Sequence, residues 1–353
     1  MVAAVFEPWR QPATRVAVLG PFDAMLGEDS LAALREAGGT LVQHPSFGLE
    51  IPDTVADADV VVTNGVGLDA ATLRQLRRVR FVLRPYVGYD DIDVPAATPL
   101  GILVANVPDT FVEEVANHTL ALILALNRKL LATDAFVRRG DWAAGQRPRQ
   151  FAQPIRRVSS LTLGLVGFGT IARLVAERAR PFGFRLLAAD PYVEPAVAEA
   201  MGVRLIGLDA LLAESDIVSV HVFLSPETRG LINAQRLARM RPGAYLVNTA
   251  RGAIVDQAAL VDALRSGHLA GAALDVFEQE PLPASSPLIG LDNVLLTPHL
   301  GSYSEEGDER HRARVADILL QVVRGALPER KVVINKDLFD QIAAAAAHPS
   351  RVA

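Results

Sequence analysis

The stretch LTLGLVGFGTIARLVAERA, Leu161–Ala179, decides the fold. An apolar run of strand length ends in glycines, and behind it Ile171, Leu174 and Val175 repeat at helical spacing. Between them lies Gly167-x-Gly169-x-x-Ala172. The first glycine permits a tight turn, and the second lets the backbone approach a diphosphate at the positive end of the helix. A small third residue lets the helix pack closely on the strand. Asp190 closes the next apolar run, RLLAAD. A carboxylate there accepts from both hydroxyls of a ribose and repels a 2′-phosphate. A bare glycine turn between strand and helix is the plain alternative, but strand, turn, helix and acid in register predict an NAD-binding βαβ unit, with NAD favoured over NADP.

Working outward, the same alternation of short apolar runs and helical patterns continues in both directions, the signature of parallel α/β sheets. Downstream, DIVSVHV (Asp216–Val222), AYLVNTA (Ala244–Ala250), GAALDVF (Gly271–Phe277) and NVLLTPH (Asn293–His299) read as strands. Upstream, VAVLGPF (Val16–Phe22), ADVVVTNG (Ala58–Gly65) and VRFVLR (Val79–Arg84) do so too, with a helix over DSLAALREAGG. A helix from about Val112 to Leu131 is apolar on every face, which predicts burial between domains or between subunits. After Ser302 comes an amphipathic helix with Val315, Ile318, Leu319, Val322 and Val323 on one face, closed by Gly325 and Pro328. The alanine-rich end, QIAAAAAHPSRVA, reads as frayed or disordered.

The chain has 353 residues, enough for about two domains. A net charge of −5 gives no general attraction for nucleic acid or acidic membranes. The absence of cysteine excludes disulfides and thiolate chemistry, and fits a reducing compartment. MVAAVFEPWRQPATR at the start has no signal-like apolar segment, and Leu120–Leu126 is too short to span a bilayer, so a cytoplasmic protein is expected. No His, Asp or Glu cluster has metal-ligand spacing, and no metal is expected. Asp90, Asp91 and Asp93 read as loop and helix-cap residues.

Three polar residues fall at the C-terminal ends of predicted strands, the edge at which doubly wound sheets bind ligands. Arg251 follows LVNTA, Glu280 lies past LDVFEQ, and His299 closes VLLTP. A nicotinamide enzyme acting on a 2-oxo acid needs a guanidinium fork for the carboxylate and a proton donor for the carbonyl oxygen. Histidine titrates in the right range, and a carboxylate beside it orients it and favours its charged form. Taken singly, Arg251 also reads as a surface arginine, His299 as a packing histidine, and Glu280 as a solvated acid with Glu278 as a competitor. His221 reads as packing or cofactor-side.

VNTARGAIVDQAALVDALRSGHLAGAALDVFEQEPL followed by TPH closely resembles the D-isomer-specific 2-hydroxyacid dehydrogenase family. So do DDIDVPAATPLGILVANVPD and SPETRGLIN. The resemblance implies two doubly wound parallel-sheet domains. An NAD-binding Rossmann domain, residues 112–302, would be inserted into a discontinuous flavodoxin-like substrate domain of residues 1–111 and 303–353. It implies an Arg251–Glu280–His299 catalytic set and a homodimer built around the cofactor domains. Along the cofactor it places Gly167, Phe168, Gly169, Thr170, Ile171 and Asp190 on the glycine side. Val222, Thr228, Thr249, Ala250, Arg251, Asp275, His299 and Gly301 follow towards the nicotinamide. The substrate would meet Tyr86, Val87 and Gly88 besides Arg251 and His299.

Within the family, SYSEE and VINKDLF resemble the C-terminal-binding-protein-like branch, which includes transcriptional corepressors. An NADH-sensing interaction protein is therefore the alternative to an enzyme. Ser302 stands where those corepressors carry tryptophan, so a substrate preference tied to that tryptophan does not transfer. Formate dehydrogenases of the superfamily pair the histidine with glutamine, so Glu280 argues against formate. The substrate loop RPYVG (Arg84–Gly88) has Pro85 and Tyr86 where relatives have a freer, glycine-rich loop, and Phe223 replaces a usual proline. Pro85 removes a backbone donor, and Tyr86 adds bulk expected to narrow the pocket.

Overall fold

A computed structural model describes residues 15–20, 26–44, 51–147 and 154–347. The chain divides into two compact units, Met1–Phe111 with Ser304–Ala353, and Val112–Tyr303. The first holds β1 (Arg15–Leu19), β2 (Thr40–His44), β3 (Val60–Thr63), β4 (Phe81–Arg84) and β5 (Leu103–Asn106). These pair in parallel in the order β2-β1-β3-β4-β5, the flavodoxin-like winding. Helices α1 (Glu28–Glu36), α2 (Asp53–Ala56), α3 (Ala70–Leu73) and α4 (Val94–Ala97) connect them, and Asp93 caps α4 by accepting from the Ala96 amide.

Successive strand residues point to opposite faces, and both faces are covered. Val16, Val18, Val60, Val62, Phe81 and Leu83 pack against a helix from the far end of the chain, α12 (Glu305–Val323). All five residues of its apolar stripe are buried. Ala17, Leu19, Val61, Val82 and Val104 face the other way into a second core. This unit is therefore built from both ends of the chain. The terminal segment corrects one expectation: α13 (Lys336–Ala347) is helical, with Ile342 and Ala345 buried in the first core. Alanine has the highest helix propensity, and Leu338 joins these two in the apolar face that docks the helix. Residues 348–353 lie outside the described part, as do Pro21 and Phe22 of the first predicted strand and residues 1–14 of the N-terminal stretch.

The second unit carries β6 (Thr162–Val166), β7 (Arg185–Ala189), β8 (Arg204–Leu205), β9 (Ile217–Val220), β10 (Ala244–Asn248), β11 (Leu269–Leu274) and β12 (Val294–Leu296). Their order is β12-β11-β10-β9-β6-β7-β8, all parallel, with the winding reversing at β6. Ligands bind such sheets at that reversal, outside the carboxyl ends of the strands. The helices are α5 (Val112–Arg128), α6 (Leu130–Arg138), α7 (Thr170–Ala179), α8 (Pro195–Ala200), α9 (Leu208–Glu214), α10 (Ala234–Arg239) and α11 (Gln257–Arg265).

The long apolar helix ends short of the expected Leu131. It breaks at Lys129, whose backbone is left-handed (φ 52°), and it buries one side only. Ala116, Thr119, Leu120, Leu122, Ile123, Leu126 and Asn127 are buried, whereas Glu113, Asn117 and Ala121 form an exposed row four residues apart. Alanines and the polar residues between the leucines supply that outer face. Beyond the break, Leu130, Leu131, Val137 and Trp142 are exposed at 53%, 60%, 52% and 63%.

Candidate active site

The glycine turn sits at the reversal of the second sheet. Gly167 has φ 88°, and a Cβ there would lie 2.9 Å from Cγ1 of Val222 and 3.0 Å from the carbonyl carbon of His221. Only glycine fits between β6 and β9 at this point. Gly169 is the N-cap of α7, no side chain caps the helix, and a Cβ at Gly169 would meet nothing within 4 Å. The positive end of α7 is thus open, with Gly169 and Thr170 exposed, Ile171 half-buried, and Phe168 and Ala172 buried against the sheet. Asp190 is fixed beside it, accepting from the amides of Phe168 (2.8 Å) and Tyr192 (2.9 Å). Each carboxylate oxygen keeps capacity for a further donor, as a ribose would require. The hydroxyl of Thr228 is engaged locally, donating to the Phe223 carbonyl and accepting from the Ser225 amide. His221 bonds Ser219 through Nε2, and desolvation lowers its imidazole to about 4, which keeps it neutral.

Arg251, Glu280 and His299 leave β10, β11 and β12 on three short loops. Asn248, buried at the end of β10, closes the first loop by donating to the Arg251 carbonyl (2.9 Å) and accepting from the Ala250 amide (3.0 Å). Gly252 presses that loop on the next, because a Cβ there would lie 1.8 Å from the carbonyl carbon of Phe277. Glu280 then accepts from the Phe277 amide (2.9 Å) with Oε1, and Oε2 lies 2.6 Å from Nδ1 of His299. Burial pushes the Glu280 carboxyl up, but the hydrogen bonds from His299 and Phe277 and the charges of His299 and Arg251 hold it below its ordinary value. An ionised carboxylate only accepts, so Nδ1 carries the proton of the pair and Nε2 is the ring nitrogen left for another partner. The rival acid, Glu278, accepts instead from the Gln257 amide at the start of α11 (3.0 Å). The pair lines a cavity of about 670 Å³ walled by Phe277, Pro281, Leu282, Leu296, Thr297 and Pro298.

His299 itself has φ 52°, a left-handed backbone that costs a non-glycine residue about 1–2 kcal/mol. Asp275 outweighs that cost. Its carbonyl accepts from the His299 amide (2.8 Å), and its carboxylate accepts from the amides of Leu300 and Gly301 (2.9 Å each) and from the Thr297 hydroxyl (2.6 Å). Hydrogen bonds to a charged acceptor contribute about 1.5–3 kcal/mol each, so the turn holds its strained residue with a margin. Burial raises the Asp275 carboxyl, while His118, Thr297 and the two amides outweigh burial and keep it below its usual value. Asp275 is thus the anchor of the His299 turn, a role its sequence position does not announce.

Thr249 and Thr297 each bond a residue of α5, Thr119 (2.9 Å) and His118 (3.1 Å). Sequence reasoning misses Asn248, His118 and Thr119. Their only signal is a polar residue interrupting an apolar run. Tyr86, Val87 and Gly88 belong to the first unit. There the Tyr86 ring stacks on His311 at 4.9 Å and on Phe111 at 6.3 Å, and Arg84 ties the loop by donating to the Gly88 carbonyl. Among the described residues, no group of three or more His, Cys, Asp or Glu could hold a metal ion. No helix described is long and apolar enough to cross a membrane.

Residues 120–301 match the family model "D-isomer specific 2-hydroxyacid dehydrogenase, NAD binding domain". Over 272 residues the chain is 41% identical to D-3-phosphoglycerate dehydrogenase of Mycobacterium tuberculosis, an alignment covering 77% of this chain and 50% of that protein. The chain thus spans about half the length of those relatives. It is also 41% identical over 283 residues to glyoxylate reductase of Korarchaeum cryptofilum, covering 80% of this chain and 85% of that one. Among solved structures, the D-lactate dehydrogenase of Aquifex aeolicus, complexed with NAD and lactic acid, superposes with a TM-score of 0.77 at 29% identity. That match covers 94% of this chain and 98% of the other.

The cofactor is NAD, and the open helix end at Gly169 with the anchored Asp190 is the place in this chain that fits its diphosphate and adenosine ribose. A carboxylate held by two amides cannot swing away from a 2′-phosphate, so NADPH is expected to bind at least tenfold more weakly than NADH. Fluorescence titration of both nucleotides measures this, and equal dissociation constants would remove Asp190 from the ribose site.

Proposed function

Because the chain belongs to the D-isomer-specific 2-hydroxyacid dehydrogenases, we propose that it reversibly reduces a 2-oxo acid to a D-2-hydroxy acid with NADH, in the cytoplasm. The observation that carries this reading is the 2.6 Å pair of His299 and Glu280, with the Arg251 loop packed through Gly252 on the backbone of Phe277 in the Glu280 loop. NADH supplies the hydride when bound. Arg251 grips the substrate carboxylate with its planar fork and so fixes which face of the carbonyl is presented. Nε2 of His299 gives its proton to the carbonyl oxygen as charge develops there, and takes it back in the oxidation. Glu280 stabilises the charged ring and fixes its orientation through Nδ1. Tyr86, Val87 and Gly88 remain candidates for the substrate side chain, with Tyr86 stacked on Phe111 and His311. His311 is lowered to about 4 by burial and the charge of Arg312, so it stacks as a neutral ring.

An NADH-sensing interaction protein would need the glycine turn but neither the Glu280–His299 pair nor the fixed Arg251 loop, and both favour the enzyme. We further propose a homodimer, supported by the exposed apolar side chains on and just after α6. Replacing Leu131 and Trp142 with aspartate is expected to leave a monomer in analytical ultracentrifugation, and an unchanged mass would exclude that face.

The test of function is NADH consumption against a panel of 2-oxo acids beginning with glyoxylate, run beside Arg251→Lys. Lysine keeps the charge and loses the fork, so kcat/KM is expected to fall about a hundredfold with NADH affinity within about twofold. A lysine variant as active as wild type would take Arg251 out of the reaction.

A further inference from the structure

Thr249, Asp275 and Thr297 are the first residues past β10, β11 and β12, three neighbouring strands. All three converge on two adjacent residues of α5, and the direction of each bond follows from where the protons go. Thr119, fully buried, donates its hydroxyl to the Val115 carbonyl one turn back (2.8 Å). Its oxygen is therefore the acceptor toward Thr249, whose hydroxyl donates across 2.9 Å. The Thr297 hydroxyl donates to Oδ1 of Asp275, so its oxygen accepts from Nε2 of His118 at 3.1 Å. The same N–H lies 3.4 Å from Oδ1 of Asp275. Thr249 stands two residues before Arg251, and Thr297 two before His299.

We propose that His118 and Thr119 are positioning residues that hold Arg251 and His299 in fixed relation by gripping the roots of their two loops from one helix. The inference rests on the enzymatic reading above. A helix is a stiff support, and a shift of about 1 Å between a carboxylate clamp and a proton donor is enough to cost about a hundredfold in rate. Each residue acts through the threonine it holds, and the two grips are separable: Thr119 serves the Arg251 loop, and His118 serves the His299 loop through Thr297 and Asp275.

The test compares Thr119→Val, nearly isosteric but without a hydroxyl, and His118→Leu, without the N–H, with Thr119→Ser and His118→Gln, which retain those groups. Amide hydrogen exchange is read first, without substrate. Thr119→Val is expected to speed exchange of residues 250–252 about tenfold and leave 300–301 unchanged, and His118→Leu to do the reverse. Steady-state kinetics follow. Thr119→Val is expected to raise the KM for the 2-oxo acid about tenfold, and His118→Leu to lower kcat by a similar factor. NADH affinity should stay within about twofold, with both losses largely restored by the conservative variants. Thr249→Val added to Thr119→Val should cost no more than the sum less the bond they share, because both variants remove the same Thr119–Thr249 bond. Unaltered exchange in both loops, additive losses, or no restoration by Ser and Gln would overturn the assignment. A wild type that oxidises NADH with no 2-oxo acid would overturn the enzymatic reading instead, while the exchange data still decide whether the two grips exist.

Discussion

One buried carboxylate sets the geometry on which the rest of the site depends. Asp275 takes two backbone amides, one hydroxyl and the contact with His118, and it is among the least exposed charged groups described. A buried charge is tolerated only when fully bonded, and here all the donors but His118 come from the segment that must be shaped. The charge therefore does two things at once. It stays ionised because the turn surrounds it, and the turn stays folded, with His299 in a left-handed backbone, because the charge is there. Strain of this kind marks functional segments, and its presence at the one residue paired with Glu280 is informative in itself.

The parallel sheet explains why these residues can meet. Parallel strands carry all their carboxyl ends to one edge, so residues far apart in sequence emerge side by side there. Arg251, Glu280 and His299 follow β10, β11 and β12, which are neighbours. The loops are then drawn together by contacts that tolerate no substitution of size, such as Gly252 on Phe277. Rigid loops on a rigid edge suit a reaction in which the protein's contribution is alignment and charge.

Much of the architecture is legible in the sequence, because buried parallel strands are short continuous apolar runs. VVVT and TLGLV are buried at every position. What is not legible has physical reasons. β2 and β5 are missed because TLVQH mixes polarity and LVAN follows a cap-rich stretch that masks its start. The break at Lys129 is invisible because lysine is a good helix former and nothing local demands a left-handed residue. The docking of α13 depends on a core supplied by the other end of the chain. In the site, the glycine turn and Asp190 are readable from spacing alone. The choice of Glu280 over Glu278 is not: both lie on the same loop, and only resemblance, and then geometry, separates them. His118 and Thr119 escape because a polar pair in an apolar helix has no meaning until its partners are known.

The central claim is that Glu280 and His299 share control of the transferred proton. The most direct measurement is a paired pH–rate profile of wild type and Glu280→Gln in both directions. Reduction needs the charged ring, and the Glu280 carboxylate, held ionised 2.6 Å from Nδ1, is the charge that Glu280→Gln removes from beside it. The alkaline limb of kcat/KM for reduction is predicted to move to lower pH. The acid limb for oxidation, which needs the neutral ring, is predicted to move the same way. Profiles that coincide with wild type in both directions would contradict the account.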